Sequence, residues 1–242
     1  MPPERIARRR RTVAIAAAAA VLLAAVAWGL TYTPLFAAKH IRVSGNGAVP
    51  SQRVRQLAGI SDETNVAHLD ESAVEEALVA DPWIASAVVR ADLPDTVAIT
   101  IDERWPVAVV EGLGQASILA SDGTVLPRAG GLAGSLPVVH AALGAPTDEQ
   151  RLAAASLLSA LDPVVFARVT DVLVGQDGDV SVTLRSGVQV DAGQQGSEPQ
   201  KADALRAILR WAATEHVHLT SIDVSTPLAP SVELSDGSSA NL

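Results

Sequence analysis

The sequence predicts an α+β protein in three parts: a single N-terminal transmembrane helix, a small β-α-α-β-β module, and a mixed β-domain with flanking helices. Three observations predict it. A basic stub precedes a long uncharged apolar run. Two short amphipathic helices then lie among three alternating strands. Beyond Trp105-Pro106, strand and turn signals predominate, with two longer helices among them.

The charge divides the chain in the same places. Residues 1–12 hold five Arg and one Glu, and residues 13–32 carry no ionisable side chain except Tyr32. The remaining 210 residues hold 13 basic and 26 acidic side chains. Residues 12–32 in a helix span about 31 Å, the thickness of a hydrocarbon core. Arg5, Arg8, Arg9, Arg10 and Arg11 precede the run, and only Lys39 and Arg42 follow it closely. The positive-inside rule therefore predicts a cytoplasmic stub (1–11), a membrane helix (12–32) and an acidic body outside. Trp28 and Tyr32 stand where an outer-leaflet aromatic anchor belongs. A cleaved signal peptide, cut near Ala25-Val26-Ala27, is the competing reading, and it exports the body too.

Each element of the body has a local cause. Ile41-Arg42-Val43 alternates and ends at Gly45-Asn46-Gly47, which predicts a strand and a turn. Ser51 is expected to cap a helix with Val54, Leu57 and Ala58 on its apolar face and Gly59 as its stop. Asp70 is expected to cap a second helix carrying Val74, Ala77 and Leu78, ended by Asp81-Pro82. Strands over residues 84–92 and 96–104 flank the turn Leu93-Pro94-Asp95.

Past Trp105-Pro106, Val107 to Val110 reads as a strand, and Asp122-Gly123 predicts a type I′ hairpin between Ile118-Leu119 and Val125-Leu126. Residues 129–135 read as a flexible loop. Thr147 with Gln150 predicts a capping box for a helix bearing Ala154, Leu157, Leu158 and Leu161, stopped by Asp162-Pro163. Strands follow at 172–174, 180–184 and 188–190. Ser197 with Gln200 is expected to cap the last helix, with Leu205, Ile208, Leu209 and Ala212 as its stripe. Strands at 221–225 and 231–234 close the domain around Pro227 and Pro230, and residues 236–242 are expected to be a disordered tail.

Little in the chain announces chemistry. Without Cys, thiolate nucleophiles, disulfides and Cys-type zinc sites are excluded. The acidic balance argues against nucleic acid as a partner. His40, His68, His140, His216 and His218 show no zinc-protease spacing, Gly112-x-Gly114 lacks the rest of a dinucleotide fingerprint, and no nucleophile elbow occurs. No cofactor, metal or small-molecule substrate is expected. Asp102-Glu103-Arg104 invites a catalytic reading, but charged residues at a strand end are more simply solvated. Trp83, Trp105 and Trp211 are expected to seal core edges.

Several motifs taken together resemble the FtsQ/DivIB family of bacterial division proteins, in its actinobacterial type. Phe36-x-x-Lys39-x-Ile41-x-Val43-x-Gly45 is similar to the family's first strand after the anchor. Ile60-x-x-x-Thr64-Asn65 resembles the inter-helix loop. Asp81-Pro82-Trp83-Ile84, Arg90-x-x-x-Pro94-Asp95-Thr96 and Ile101-x-Glu103-Arg104-x-Pro106-Val107-Ala108 resemble the end of its POTRA (polypeptide-transport-associated) module. Ile118-Leu119-x-x-Asp122-Gly123, Leu136-Pro137-Val138 and Ile222-Asp223-Val224-Ser225 resemble landmarks of its β-domain.

The resemblance implies a POTRA domain over 36–104, a β-domain over 105–235 and a non-enzymatic scaffold of the divisome. Such a scaffold links early cytoplasmic components to late septal-wall synthesis and is enriched at the septum. The implied partners are FtsB/FtsL-type coiled-coil proteins and FtsW/FtsI-type septal synthases. In the family, the FtsB-type partner adds a strand to the sheet edge, and the position carried over is Ser231, Val232, Glu233 and Leu234, supported by Ile222 and Val224. An exported cell-wall enzyme using Asp102 and Glu103, or a general envelope adaptor, are the alternatives.

Overall fold

The computed structural model describes residues 3–111, 117–127 and 134–241, with backbone alone for 3–12 and Asn241. The chain forms two compact units, residues 1–103 and 104–242.

The first unit begins with α1 (Pro3–Leu30), which starts earlier than expected because Arg, Glu and Ala extend a helix readily through the stub. Its stretch Val13–Leu30 is long and apolar enough to cross a membrane by length and composition, and its side chains are exposed. The Thr31 and Thr33 hydroxyls donate back to the carbonyls of Trp28 and Leu30, at 2.6 and 2.7 Å, and Pro34 follows. These bonds satisfy acceptors that a helix end otherwise leaves to solvent.

Beyond α1, β1 (His40–Ser44), α2 (Ser51–Ala58), α3 (Glu71–Val79), β2 (Ile84–Asp92) and β3 (Thr96–Glu103) realise the β-α-α-β-β order. The sheet runs β1-β3-β2, with β1 parallel and β2 antiparallel to β3. Val54, Leu78, Ile84, Val97 and Ile99 are buried between the helices and one sheet face, and Trp83 packs at the margin as expected.

The caps divide. Asp70 accepts from the Ala73 N–H at 3.1 Å, as predicted. Ser51 does not cap α2: Pro50 stands at the cap, and the Ser51 hydroxyl accepts instead from the Asn46 amide at 3.0 Å. A proline before the first turn already presets the extended entry, so the serine side chain is free for the neighbouring turn.

That turn is built around two residues. Gly45 has φ +80°, and a Cβ there would lie 2.0 Å from the carbonyl oxygen of Ile101. The Glu103 carboxylate, from the end of β3, accepts from the N–H groups of Gly47, Ala48 and Val49 at 2.9, 2.7 and 2.8 Å. Glu103 is therefore a receptor for the β1–α2 loop rather than a solvated strand end, while Asp102 is exposed.

The second unit is one mixed sheet with three helices. Its strands are β4 (Pro106–Val110), β5 (Ser117–Ala120), β6 (Val125–Leu126), β7 (Val138–Ala141), β8 (Val169–Val174), β9 (Val180–Leu184), β10 (Gln189–Gly193), β11 (Leu219–Asp223), β12 (Ser231–Leu234) and β13 (Ser239–Asn241). The spatial order is β13-β12-β11-β10-β9-β8-β7-β4-β5-β6. Two parallel neighbours, β7/β8 and β10/β11, are joined by helical crossovers, as parallel pairs require. The first crossover carries α4 (Asp148–Ala160) and the short α5 (Pro163–Phe166), and the second carries α6 (Glu198–Glu215). Leu157, Leu158, Leu205 and Ile208 bury the helices against Val172, Val182, Val190 and Ile222.

Several local expectations are corrected here. β7 is a strand that periodicity alone did not reveal, since Val138-Val139-His140-Ala141 is too short to show a period. Asp162-Pro163 does stop α4, but it also starts α5, with the Asp162 carboxylate accepting from Val164 and Val165 N–H, both at 2.9 Å. Ser197 sits in the left-handed region and makes no cap bond, whereas the Thr147–Gln150 capping box forms in full. The 121–124 loop is not a two-residue type I′ turn. Only Gly123 has positive φ, and the Asp122 carboxylate holds the Thr124 N–H at 3.0 Å. Trp105 is 73% exposed rather than buried. Gly112, Gly114 and residues 129–133 of the expected loop lie outside the described residues.

Asp122 also receives the Arg104 Nε–H at 2.7 Å. Burial works to raise its pKa, but the bonds from Arg104 and Thr124 and the Arg104 charge outweigh it, and the carboxyl is held below the usual 3.8. A folded value below the unfolded one gives stability that is complete above about pH 3.8 and is lost as pH falls through the lowered value. Urea midpoints of the wild type and Asp122→Asn are therefore expected to differ near neutrality, by less than about 1 kcal/mol for so exposed a pair, and to converge in acid. A gap that widens on acidification would contradict this.

Candidate docking edge of the C-terminal sheet

Among the described residues the two sheets have four edges, and they are not equivalent. On the first unit, β2 is screened by α3. The Glu75 carboxylate accepts from the Val89 N–H at 2.8 Å and Glu71 from the Ala91 N–H at 2.6 Å, which satisfies donors an incoming strand would need. On β1, the Arg55 guanidinium donates to the Ile41 carbonyl at 3.3 Å. On the second unit, β6 is two residues long, with Leu126 fully buried. The other end is formed by β12 and β13.

The sequence placed the partner edge at Ser231, Val232, Glu233 and Leu234, as the last strand. The strand is there, but it is not outermost. β12 pairs with β11 through Ile222↔Val232 and Asp223↔Ser231, and with β13 through Val232↔Ala240 and Glu233↔Ser239. The expected disordered tail is thus a hairpin return. Asp236 makes the turn possible: its carboxylate accepts from the Ser238 hydroxyl at 2.6 Å and N–H at 2.9 Å, and Gly237 takes φ +83°. Those bonds, the hydroxyl's first, hold the Asp236 carboxyl below its usual range. A reading based on small polar composition missed this. The Asp-Gly pair at 236–237 was the available signal.

The supporting residues separate too. The Ile222 and Val232 side chains point into the core, 1% and 3% exposed, so they offer only backbone to a neighbour. Val224 lies beyond β11, and its N–H donates inward to Asp191 of β10 at 2.8 Å, so it does not face the edge. Ser221 donates to the Glu233 carboxylate at 3.2 Å across β11 and β12. The Leu234 N–H donates to the Ser238 carbonyl on the β13 side at 2.9 Å. By strand alternation the Val232 N–H faces that side as well. Pro227 and Pro230 fall in the preceding loop and leave β12 uninterrupted, and Leu228 in that loop is 93% exposed.

A second cluster lies where α1 ends. The Asn65 amide donates to the Thr31 carbonyl at 2.7 Å, and Thr31 Oγ1 lies 2.8 Å from His68 Nε2. The His68 ring stacks on Tyr32 with centroids 4.3 Å apart and meets Trp28 edge-on at 5.2 Å. The two aromatics read as interfacial anchors thus hold the inter-helix loop as well. The five stub arginines lie on the first turns of α1.

Among the described residues no group of three or more His, Asp or Glu could hold a metal ion. His216 ends α6 in the left-handed region, and His140 lies 3.8 Å from Glu111 and 3.5 Å from Asp171.

Two family models match the chain in the order of its two units. A family model for the FtsQ-type POTRA domain matches residues 36–104, and one for the C-terminal region of cell division protein FtsQ/DivIB matches residues 108–225. Cell division protein FtsQ of Mycolicibacterium smegmatis is 30% identical over 211 residues, covering 86% of this chain and 61% of its own length. FtsQ of Mycobacteroides abscessus is 28% identical over 87% of this chain and 67% of its own. The chain thus spans about three fifths to two thirds of these relatives. Cell division protein DivIB of Geobacillus kaustophilus is 37% identical over 78 residues, 32% of this chain and 30% of its own. Among solved structures, the major extracytoplasmic domain of DivIB from Geobacillus stearothermophilus aligns with TM-score 0.34 and 19% identity, over 46% of this chain and 93% of that one. With an FtsQ-type module followed by an FtsQ/DivIB C-terminal region, and an FtsQ relative aligned along most of its length, this chain belongs to the FtsQ/DivIB family of cell division proteins.

Proposed function

We propose that the chain is a membrane-anchored, non-enzymatic scaffold of the divisome that captures an FtsB/FtsL-type partner by strand addition along β12, with β13 giving way to the incoming strand. α1 crosses the membrane, the arginine stub stays in the cytoplasm by the positive-inside rule, and both modules stand outside, enriched at the septum. From there the scaffold joins early division components to FtsW/FtsI-type septal synthases.

The observation that carries this reading is the unequal protection of the four edges. Glutamates and an arginine screen the first unit's edges, and β6 is too short to pair much. At β12 the cover is three residues of Ser, Ala and Asn, of which Ala240 packs on the core. Displacing so small a strand sacrifices little buried area, and a longer partner strand regains the same backbone bonds. Glu103, one of the two carboxylates that the enzymatic alternative invokes, is engaged in holding a loop, which supports a structural role for it.

The test is affinity purification of the full chain from gently solubilised membranes. FtsB/FtsL-type chains are expected to co-elute in stable proportion. Their absence, with a normal division phenotype on depletion, would reject the scaffold reading.

A further inference from the structure

We infer that the end of the first unit next to α1 lies in the headgroup layer of the membrane, with Leu93 set among the lipids and Arg42 and Arg90 on lipid phosphates. The inference rests on α1 crossing the membrane, as proposed above. β1 and β3 run parallel with His40 beside Thr96, so the β2–β3 turn, residues 93–95, lies at the end of the sheet that the chain enters from α1. The Lys39 and His40 N–H groups close that end on the Asp95 carbonyl, at 3.0 and 3.1 Å.

The same end is tied to the membrane helix. The Asn65 amide holds the Thr31 carbonyl, Ala37 bridges to Asn65, and the Ala38 N–H donates to the Thr64 carbonyl at 2.9 Å. His68 adds its stack on Tyr32. A module fastened in this way follows the helix rather than swinging on a linker, so its near end is kept at the bilayer surface. That end shows apolar surface that the fold leaves uncovered: Leu35, 59% exposed, ahead of β1, and Leu93, 61% exposed, at the tip of the turn. Moving such side chains out of water into the boundary of the acyl chains is favourable.

Charge fits the same layer. Arg42 pairs with Ala98, and Ala98 with Arg90, so two arginines flank one small residue on the sheet face turned away from α2 and α3. Both are exposed, and neither lies within ion-pair distance of a carboxylate among the described residues. The other charges at this end are mixed. Lys39 lies 4.0 Å from Asp95, the Arg55 guanidinium donates to the Ile41 carbonyl, and Asp62 and Asp92 are exposed. A surface of both signs with two unpaired guanidiniums suits a layer of phosphates and amines better than it suits a soluble polyanion. The arginine stems can reach from the second row of the sheet to those phosphates and bind them through charge-assisted hydrogen bonds.

The chain has no Cys, so single nitroxide labels can be placed through Leu93→Cys, through Ala85→Cys at the opposite end of the sheet, and through Ala19→Cys within α1. The full chain in phosphatidylcholine nanodiscs is read by collision of each label with oxygen, which concentrates in lipid, and with a nickel chelate, which stays in water. The Leu93 and Ala19 labels are expected to favour oxygen, and the Ala85 label nickel. Arg42→Glu/Arg90→Glu is expected to lower the docked-to-free ratio at Leu93 roughly tenfold or more, and Arg42→Gln/Arg90→Gln to lower it less, with denaturant midpoints unchanged. A Leu93 label as open to nickel as the Ala85 label, while Ala19 favours oxygen, would overturn the inference and leave the anchor standing. An Ala19 label in water would reject the anchor itself. Indifference of the Leu93 label to both arginine pairs, or its release by inorganic phosphate, would overturn the lipid phosphate contact.

Discussion

Replacing Val232 with Pro is expected to lower capture of an FtsB-type strand by roughly a hundredfold, about 2.7 kcal/mol, while the body stays folded. The Val232 N–H faces β13, on the same side as the Leu234 N–H that bonds Ser238, so a partner lying along β12 needs it as a donor. Proline removes that donor, and its ring fills the space of the incoming carbonyl. The β11 side of β12 keeps its groups, because alternate residues serve it. Val232 is 3% exposed, so some packing is lost as well, and Val232→Ala separates the two effects. It sacrifices methyl groups and keeps the N–H, so it is expected to retain capture. Deleting residues 236–242 removes the competing strand and is expected to leave capture equal or tighter. Isothermal titration of these variants against an FtsB-type segment checks all three, and a deletion that abolishes binding would place the partner on β13 instead.

Gly45→Ala is expected to destabilise the first unit by roughly 3 kcal/mol or more. The left-handed φ of +80° resists any side chain, and the new Cβ would meet the Ile101 carbonyl oxygen at 2.0 Å, a backbone atom fixed in the ladder. Nothing can move cheaply to relieve it. Glu103→Ala acts on the same turn and is expected to cost about 2 kcal/mol, since three N–H groups lose one charged acceptor and two of them regain water. Chemical denaturation of the full chain in nanodiscs reads both. The carboxylate's part is positional, so Glu103→Ala should impair partner capture no further than its loss of folded protein explains. Asp102→Ala, at an exposed position, should leave stability nearly unchanged. Loss of function from Asp102→Ala at full stability would revive the enzymatic alternative.

These residues also show where sequence was sufficient. The first unit's order was legible because each boundary is marked chemically: Gly59 and Asp70 act through their own backbone or side chain within three residues. Glu103 was not legible, because its partners lie more than fifty residues away and no local rule links them. Composition misread the C-terminal hairpin, since small polar residues suit a frayed tail and a three-residue strand equally. The edge position was right as a strand and wrong as an edge for the same reason.

The most direct test of the account is amide hydrogen exchange on the full chain, with and without an FtsB/FtsL-type pair bound. Added protection of the outward amides of β12, Val232 and Leu234, together with faster exchange at Ala240, which faces Val232, is the predicted result. Protection confined to the first unit or to β6, with residues 231–241 unchanged, would contradict it.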